Sequence, residues 1–377
     1  MKLIESSIRT VQEKFLATRR ELSAALIERD EEIDVVLTAL VCQEHPLLVG
    51  PPGTAKSLLL DSLMAWMNGR RFTILFTKFT TPEECFGPIS VAGLKDDKYR
   101  RVTTGKLPEA EGAFGDEIFK ASSAILNTLL RILNERMFDD GNGALVPVPL
   151  KIFVAASNEW PQSQEGGKEL GALFDRFLFR KTVRPILTAS GRNRLLWERN
   201  HKPELSTSIT PSEIDEAQSV AKGLPWTNEA KEAFDTVLRE LAKEGVQPGD
   251  RRQYKSVAAA QGFAYLAGAN HVEPEHLEIL AHTLWDDPSE QPEKVAGIVA
   301  RIANPIGMKV NSLLLEVEQI LGVTDVRQLA QAAGATAKLQ EIHRKLNTLN
   351  GDCRVARAKE YVQQEVKRIK LASIEAI

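Results

Sequence analysis

Apolar residues near the start of the chain, Ile4, Ile8, Val11, Phe15, Leu22 and Leu26, recur at helical spacing with charges between them, which predicts an amphipathic opening helix. A second helix over 31–42 leads to the apolar run Leu47-Leu48-Val49, which reads as a strand. The patterns then alternate: helix over 57–68, strand over 72–77, an irregular stretch to about residue 110, strand over 113–116, helix over 122–136, and strands over 152–155 and 179–183. This alternation predicts an α/β unit with a mostly parallel sheet covered by helices.

Beyond residue 185 strand patterns stop and helices dominate. Thr210-Pro211-Ser212-Glu213 is a capping box with proline at the first helical position, so a helix start is well specified there. Ala230, Phe234, Val237, Leu238 and Leu241 mark the next helix, which Gly245 ends. Asp250 is expected to cap a helix that opens with Arg251-Arg252 and closes near Gly268. The chain from residue 290 again reads as helical, with lysine and arginine concentrated over 338–370. The expected organisation is an αβα core over 1–185, an all-α subdomain over 186–289 and a helical extension over 290–377.

Composition excludes several classes. The 377 residues exceed one ordinary core and suit two or three units, and 43% hydrophobic with 26% charged residues excludes disordered and fibrous chains. A net charge of −3 argues against a surface built throughout for nucleic acid. Cys42, Cys85 and Cys353 form neither a disulfide framework nor a CxxC pair and read as reduced thiols. No apolar stretch approaches the roughly 18 residues that span a bilayer, so a soluble, cytoplasmic protein with no membrane span is expected.

The candidate chemistry begins at Gly50-Pro51-Pro52-Gly53-Thr54-Ala55-Lys56-Ser57, which follows the first strand and opens a helix. Successive backbone N–H groups there can face an anion, Lys56 adds a charge, and the Ser57 hydroxyl can ligate Mg²⁺. The pattern departs from G-x-x-x-x-G-K-[ST] at Ala55, where the loop must tolerate a Cβ. Asp116 and Glu117 end the run Ala113-Phe114-Gly115, where an acid can hold Mg²⁺ and the next can polarise an attacking water. Gly115 weakens the apolar strand before them. Asn158 follows the next strand and can orient that water or contact a γ-phosphate; the plainer reading is a loop cap. Arg176 and Arg180, in Phe174-Asp-Arg-Phe-Leu-Phe-Arg180, offer cations able to stabilise charge on a transferred phosphoryl group.

These segments, with Gly115-Asp-Glu-Ile-Phe-Lys-Ala-Ser122, Leu129-Leu-Arg-Ile-Leu-Asn-Glu135 and Ala156-Ser-Asn-Glu159, resemble the MoxR family of AAA+ ATPases. Thr81-Pro-Glu-Glu-Cys-Phe-Gly-Pro88, Gly105-Lys-Leu-Pro-Glu-Ala110 and Gly249-Asp-Arg-Arg252 are similar to its RavA-like branch. The resemblance implies an AAA+ P-loop NTPase fold with an all-α lid, ATP and Mg²⁺ as cofactors, and a hexameric ring with ATP between subunits. It makes Gly50 to Ser57 the nucleotide loop, Ser57 and Asp116 the Mg²⁺ residues, Glu117 the catalytic acid and Asn158 sensor 1. Arg176 becomes the trans-acting arginine finger, with Arg180 as a substitute, and Arg251 becomes sensor 2, with Arg252 beside it keeping that assignment open. Residues 79–106 would hold the helix-2 insert, where Phe86-Gly87 could touch a client or pack in the core. Family members work with proteins that contain a von Willebrand factor A domain, so such a partner or another protein client is implied. RavA-like proteins insert a small β domain after the lid; here that region reads helical, so no partner that depends on the β domain is carried over. A nucleic-acid-dependent motor and a nucleotide-gated scaffold remain the alternatives, and 338–370 is the candidate surface for the former.

Overall fold

The five runs read as strands form one parallel sheet in the computed structural model, which describes residues 2–141, 143, 145–160, 167–198, 202–325, 328–349 and 353–375. The side chains of Ile4, Ile8 and Cys353 lie outside the described set. The chain begins with α1 (Lys2–Ala25) and α2 (Asp30–Val41), then β1 (Pro46–Val49), α3 (Lys56–Trp66) and β2 (Arg71–Leu75). The stretch expected to be irregular holds two short helices, α4 (Pro82–Phe86) and α5 (Val91–Lys95), before β3 (Gly112–Asp116) and α6 (Ser123–Glu135). A hairpin of β4 (Met137–Asp139) and β5 (Leu145–Pro147) precedes β6 (Ile152–Ser157), α7 (Gly167–Arg176) and β7 (Phe179–Thr182).

The strand order is β2-β3-β6-β1-β7, so β1 lies between β6 and β7, with Leu47 opposite both Ala155 and Arg180. Successive side chains on a strand face opposite ways. Leu48, Val154 and Ala156 accordingly enter one core with α1, α2 and α3, while Leu47, Phe153 and Ala155 enter a second core with α6 and Leu173 of α7. Burial on both faces explains why these strands read as continuous apolar runs. The gap at Gly115 has a steric cause: a Cβ there would lie 2.7 Å from the Phe153 ring and 2.8 Å from Phe76. Phe86 is core, stacked on Phe138 at 5.8 Å, so of the two readings core packing holds.

Helices follow: α8 (Ala189–Trp197), α9 (Pro211–Lys222), α10 (Asn228–Lys243), α11 (Asp250–Leu266), a 3-10 stretch (Pro274–His282), α12 (Gln291–Ala303), α13 (Pro305–Val323), α14 (Leu329–Asn347) and α15 (Cys353–Glu375). The capping box at Thr210 forms as expected, with Thr210 accepting from the Glu213 N–H. The expected cap at Asp250 is displaced by one residue: Gly249 is extended and Asp250 is already helical, where its charge favours the helix N-terminus. Val295, Ile298 and Val299 of α12 share the core of α9 to α11, whereas α13 to α15 build their own around Val310, Leu339, Ile342 and Val362. Among the described residues no helix is long and apolar enough to cross a membrane.

Phe15 ties these parts together. Its ring meets Trp66 of α3 edge-on at 5.0 Å and Tyr265 of α11 at 5.9 Å, so one side chain of α1 packs on both the sheet unit and the helical unit. Phe15→Ala is expected to cost about 3–5 kcal/mol, the range for a buried phenylalanine, read as a lower denaturant midpoint in chemical unfolding.

Candidate active site

Gly50 leaves β1 in a space that permits no side chain. Its N–H donates to the Ser157 carbonyl at 3.1 Å, and a Cβ would lie 2.2 Å from the Val183 carbonyl oxygen. The loop then turns through two left-handed residues, Gly53 at φ 79° and Ala55 at φ 62°, which aims the start of α3 back at the loop. Ala55 tolerates this at a cost of about 1–2 kcal/mol. Thr54 closes the loop by donating its hydroxyl to the Pro51 carbonyl at 2.8 Å. Pro51, Pro52 and Gly53 are exposed, and the first-turn N–H groups of α3 have no side-chain cap. These are the donors an anion would meet.

Arg29, which no sequence motif marked, holds this loop from outside. Its Nε donates to the Thr54 carbonyl at 3.0 Å and its Nη2 to the Arg184 carbonyl at 2.9 Å, joining the loop to the segment after β7. Lys56 folds over the loop, donating to the carbonyls of Gly50 and Pro51, the latter at 3.0 Å, and to Asn158 Oδ1 at 3.4 Å. Burial pushes the Lys56 pKa below its ordinary value, while the carboxylates of Asp116 and Glu117 oppose that shift.

Asp116 ends β3, and its Oδ1 accepts the Glu117 N–H at 2.9 Å. Glu117 sits at φ 54°, a strained value that swings its buried carboxylate toward Lys56 and Asn158. Asn158 Nδ2 donates to Glu117 Oε1, and Lys120, to which the sequence motif gave no role, lies 3.4 Å from Oε2. Lys56, Asp116, Glu117 and Asn158 are thus one constellation at the carboxyl ends of β1, β3 and β6. Ser57 is exposed at the start of α3 beside them. Among the described residues no cluster of three or more His, Cys, Asp or Glu could hold a metal alone. A hydroxyl and a carboxylate beside a phosphate loop do fit Mg²⁺, which takes few protein ligands and completes its shell with water and phosphate oxygens.

Arg176, Arg180, Arg251 and Arg252 lie elsewhere. Arg176 closes α7 just before β7 begins, and Arg251 donates to Asn134 Oδ1 at 2.8 Å, near the end of α6. Lys255, one turn along α11 from Arg251, pairs with Glu44 at 2.6 Å, just before β1. These contacts set the start of α11 against the amino ends of the strands. Strands of 4 to 6 residues rise about 3.3 Å per residue, which puts this edge well over 10 Å from the phosphate loop. Arg176, Arg251, Arg252 and Lys255 line a cavity of about 140 Å³ there, with Asp175 and Asp286. Arg180 is buried, its guanidinium 3.8 Å from the Phe174 ring centroid, donating to the carbonyls of Trp285 at 2.6 Å and Phe174 at 3.0 Å. Burial, then the neighbouring Arg252, pushes its pKa down to about 9, which leaves it charged at neutral pH.

A parallel sheet with a loop of phosphate-binding type after β1, acids at the tip of β3 one strand removed and an all-α unit behind is the arrangement of an AAA+ ATPase. The chain belongs to the MoxR family: residues 13–219 match the "MoxR domain in the MoxR-vWA-beta-propeller ternary systems" and residues 232–299 match an AAA lid domain. It is 36% identical to an uncharacterised protein of Methanocaldococcus jannaschii over 97% of this chain and 91% of that protein. It is 29% identical to the chaperone MoxR1 of Mycobacterium tuberculosis over 43% of this chain and 42% of that protein. A crystal structure of a provisionally named ATPase from Cytophaga hutchinsonii shares the fold, with a TM-score of 0.64 at 16% identity, over 80% of this chain and 98% of that one. The protein is therefore a MoxR-family AAA+ ATPase.

The loop geometry gives a stability test. Ala55→Gly exchanges about 1 kcal/mol of relieved left-handed strain for a similar entropy gain in the unfolded chain, so the denaturant midpoint should barely move. Gly50→Ala should lower that midpoint and abolish nucleotide binding measured by fluorescence titration, because the loop must leave its place between β6 and β7.

Proposed function

We propose that the protein is a Mg²⁺-dependent ATP hydrolase that works as a homo-hexameric ring in the cytoplasm and remodels a partner protein. The observation that carries this reading is the separation of the two cationic groups: one lies at the phosphate loop, the other at the opposite edge of the same sheet. One chain cannot bring both to a single nucleotide. Head-to-tail packing of copies would set Arg176 of one against the Lys56 loop of the next, and repetition of that contact closes a ring. The organisation taken to serve this is the core over 1–185, the lid over 186–289 and the extension over 290–377.

In this reading Gly50, Pro51, Pro52, Gly53, Thr54, Ala55 and Lys56 hold the phosphates, and Lys56 exchanges its own loop carbonyls for phosphate oxygens. Ser57 and Asp116 hold Mg²⁺, which supplies charge neutralisation at the β- and γ-phosphates when bound. Glu117 takes the proton of the attacking water, and Asn158 fixes the Glu117 carboxylate through the hydrogen bond already formed. Arg176 and Arg251 face the neighbour's nucleotide as arginine finger and sensor 2. Arg180 is spent on the lid contact, which favours Arg176 for the finger.

For the partner, the family description couples this MoxR domain to a von Willebrand factor A protein and a β-propeller, and we take the von Willebrand factor A protein as the client. Placement in the RavA-like branch rests on the Thr81 to Pro88 and Gly249 to Arg252 segments.

Three variants test this. Lys56→Ala should lose ATP binding. Glu117→Gln should bind ATP normally and turn over about 10²–10⁴-fold more slowly. Arg176→Ala should bind ATP and lose about 10³–10⁵-fold in kcat, and mixing it with Lys56→Ala subunits should restore part of the turnover. Stable mixed rings without any recovery would refute the shared site.

A further inference from the structure

Arg251 and Arg252 are adjacent in sequence and opposite in fate. An α-helix turns about 100° per residue, so when Arg251 faces outward to Asn134, Arg252 faces into the junction between the lid and the α7–β7 turn. There the guanidinium is fully committed. Nη1 donates to the carbonyls of Leu178 at 2.9 Å and Thr283 at 2.8 Å, and Nε lies 3.2 Å from Asp286 Oδ1. Nη2 reaches the Phe177 carbonyl at 3.4 Å and Asp175 Oδ1 at 3.5 Å.

Arg180 mirrors it from the core side. It donates to the carbonyls of Phe177 at 3.2 Å and Trp285, and to the same Asp286 oxygen at 3.0 Å. Two guanidiniums and two carboxylates therefore bind residues 283–286 of the lid to residues 174–178 of the core. Arg180 is 1% and Arg252 is 5% exposed, so both guanidiniums are buried, while Asp175 and Asp286 reach them from the solvent side.

Arg176 sits in the middle of that turn. Its nearest carboxylate oxygen, Asp175 Oδ2, is 3.7 Å from Nη1, too long for a hydrogen bond, and its buried Nε has no hydrogen-bond partner. The turn on both sides of Arg176 is clamped while Arg176 itself is held by little more than the position of its backbone. An unpaired buried N–H is unfavourable, so the Arg176 side chain gains nothing there to fix it in place.

We propose that Arg252 is a positioning residue for Arg176: through Asp286, Asp175 and the carbonyls of Phe177 and Leu178, it makes the placement of the finger depend on the orientation of its own subunit's lid. This rests on the reading of Arg176 as a group that meets a neighbouring copy's nucleotide. Hydrolysis at one site then responds to the lid of the subunit that donates the finger, and the signal passes around the ring in one direction.

The test uses full-length Arg252→Lys and Asp286→Asn, each loosening the clamp in a different way, with Arg176→Ala as reference. Misplacement of a group by about 1 Å can cost about 10²-fold in rate, so both variants should lose up to that factor in kcat while ATP affinity in binding titrations stays unchanged. Arg176→Ala/Arg252→Lys should be no slower than Arg176→Ala, because Arg252 acts through Arg176. Mixing Arg252→Lys with Lys56→Ala subunits should recover turnover, since the latter present an intact finger; a subunit that is merely unfolded would not be rescued. Wild-type kcat in both variants, a fall in ATP affinity, or a further loss in the double variant would each overturn the proposal. Normal hydrolysis by Arg176→Ala would instead refute the finger reading on which it stands.

Discussion

All five strands of the main sheet run the same way, and the placement of the site follows from that constraint. Each strand delivers the residue after its carboxyl end to one edge, so Gly50, Glu117 and Asn158 arrive together although they are far apart in sequence. The same polarity sends the residues just before β7 to the other edge, which removes Arg176 from the Gly50 to Ser57 loop of its own chain. A mixed or antiparallel sheet would lose this separation. The sheet also needs cover on both faces, and α1 to α3 on one side with α6 and α7 on the other supply it.

Among the contacts that hold the helical unit to this sheet, two differ sharply in chemistry. Phe15, Trp66 and Tyr265 make an apolar junction through α1, which tolerates small shifts because dispersion contacts are many and weak. Arg180 and Arg252 with Asp175 and Asp286 make a polar one beside Arg176, where the two buried guanidiniums need their acceptors.

The elements that the sequence made legible are those whose signal is local. The phosphate loop is contiguous, the strands are buried on both faces, and the capping box at Thr210 needs residues only three apart. Less legible were features that arise from contact. Gly115 looked like a flaw in a strand because the Phe76 and Phe153 rings that exclude a Cβ are remote in sequence. Arg29 carries no motif and Lys120 no assigned role, yet they brace the Thr54 carbonyl and the Glu117 carboxylate. The β4–β5 hairpin was missed because strands of 3 residues are too short to show an alternating pattern.

By itself the sequence determined that a nucleotide-binding α/β unit is followed by an all-α unit, because loop chemistry and hydrophobic period are written in neighbouring residues. It could not decide between Arg251 and Arg252, nor between Arg176 and Arg180, because each pair has identical chemistry. Tertiary structure decided their environments: the helical turn of α11 points one arginine outward and buries the other in the lid–core junction, and the pleat of β7 buries Arg180 while the turn before it leaves Arg176 partly exposed. Direction in space, which a linear code does not carry, separates the guanidiniums committed to the fold from those available to another molecule.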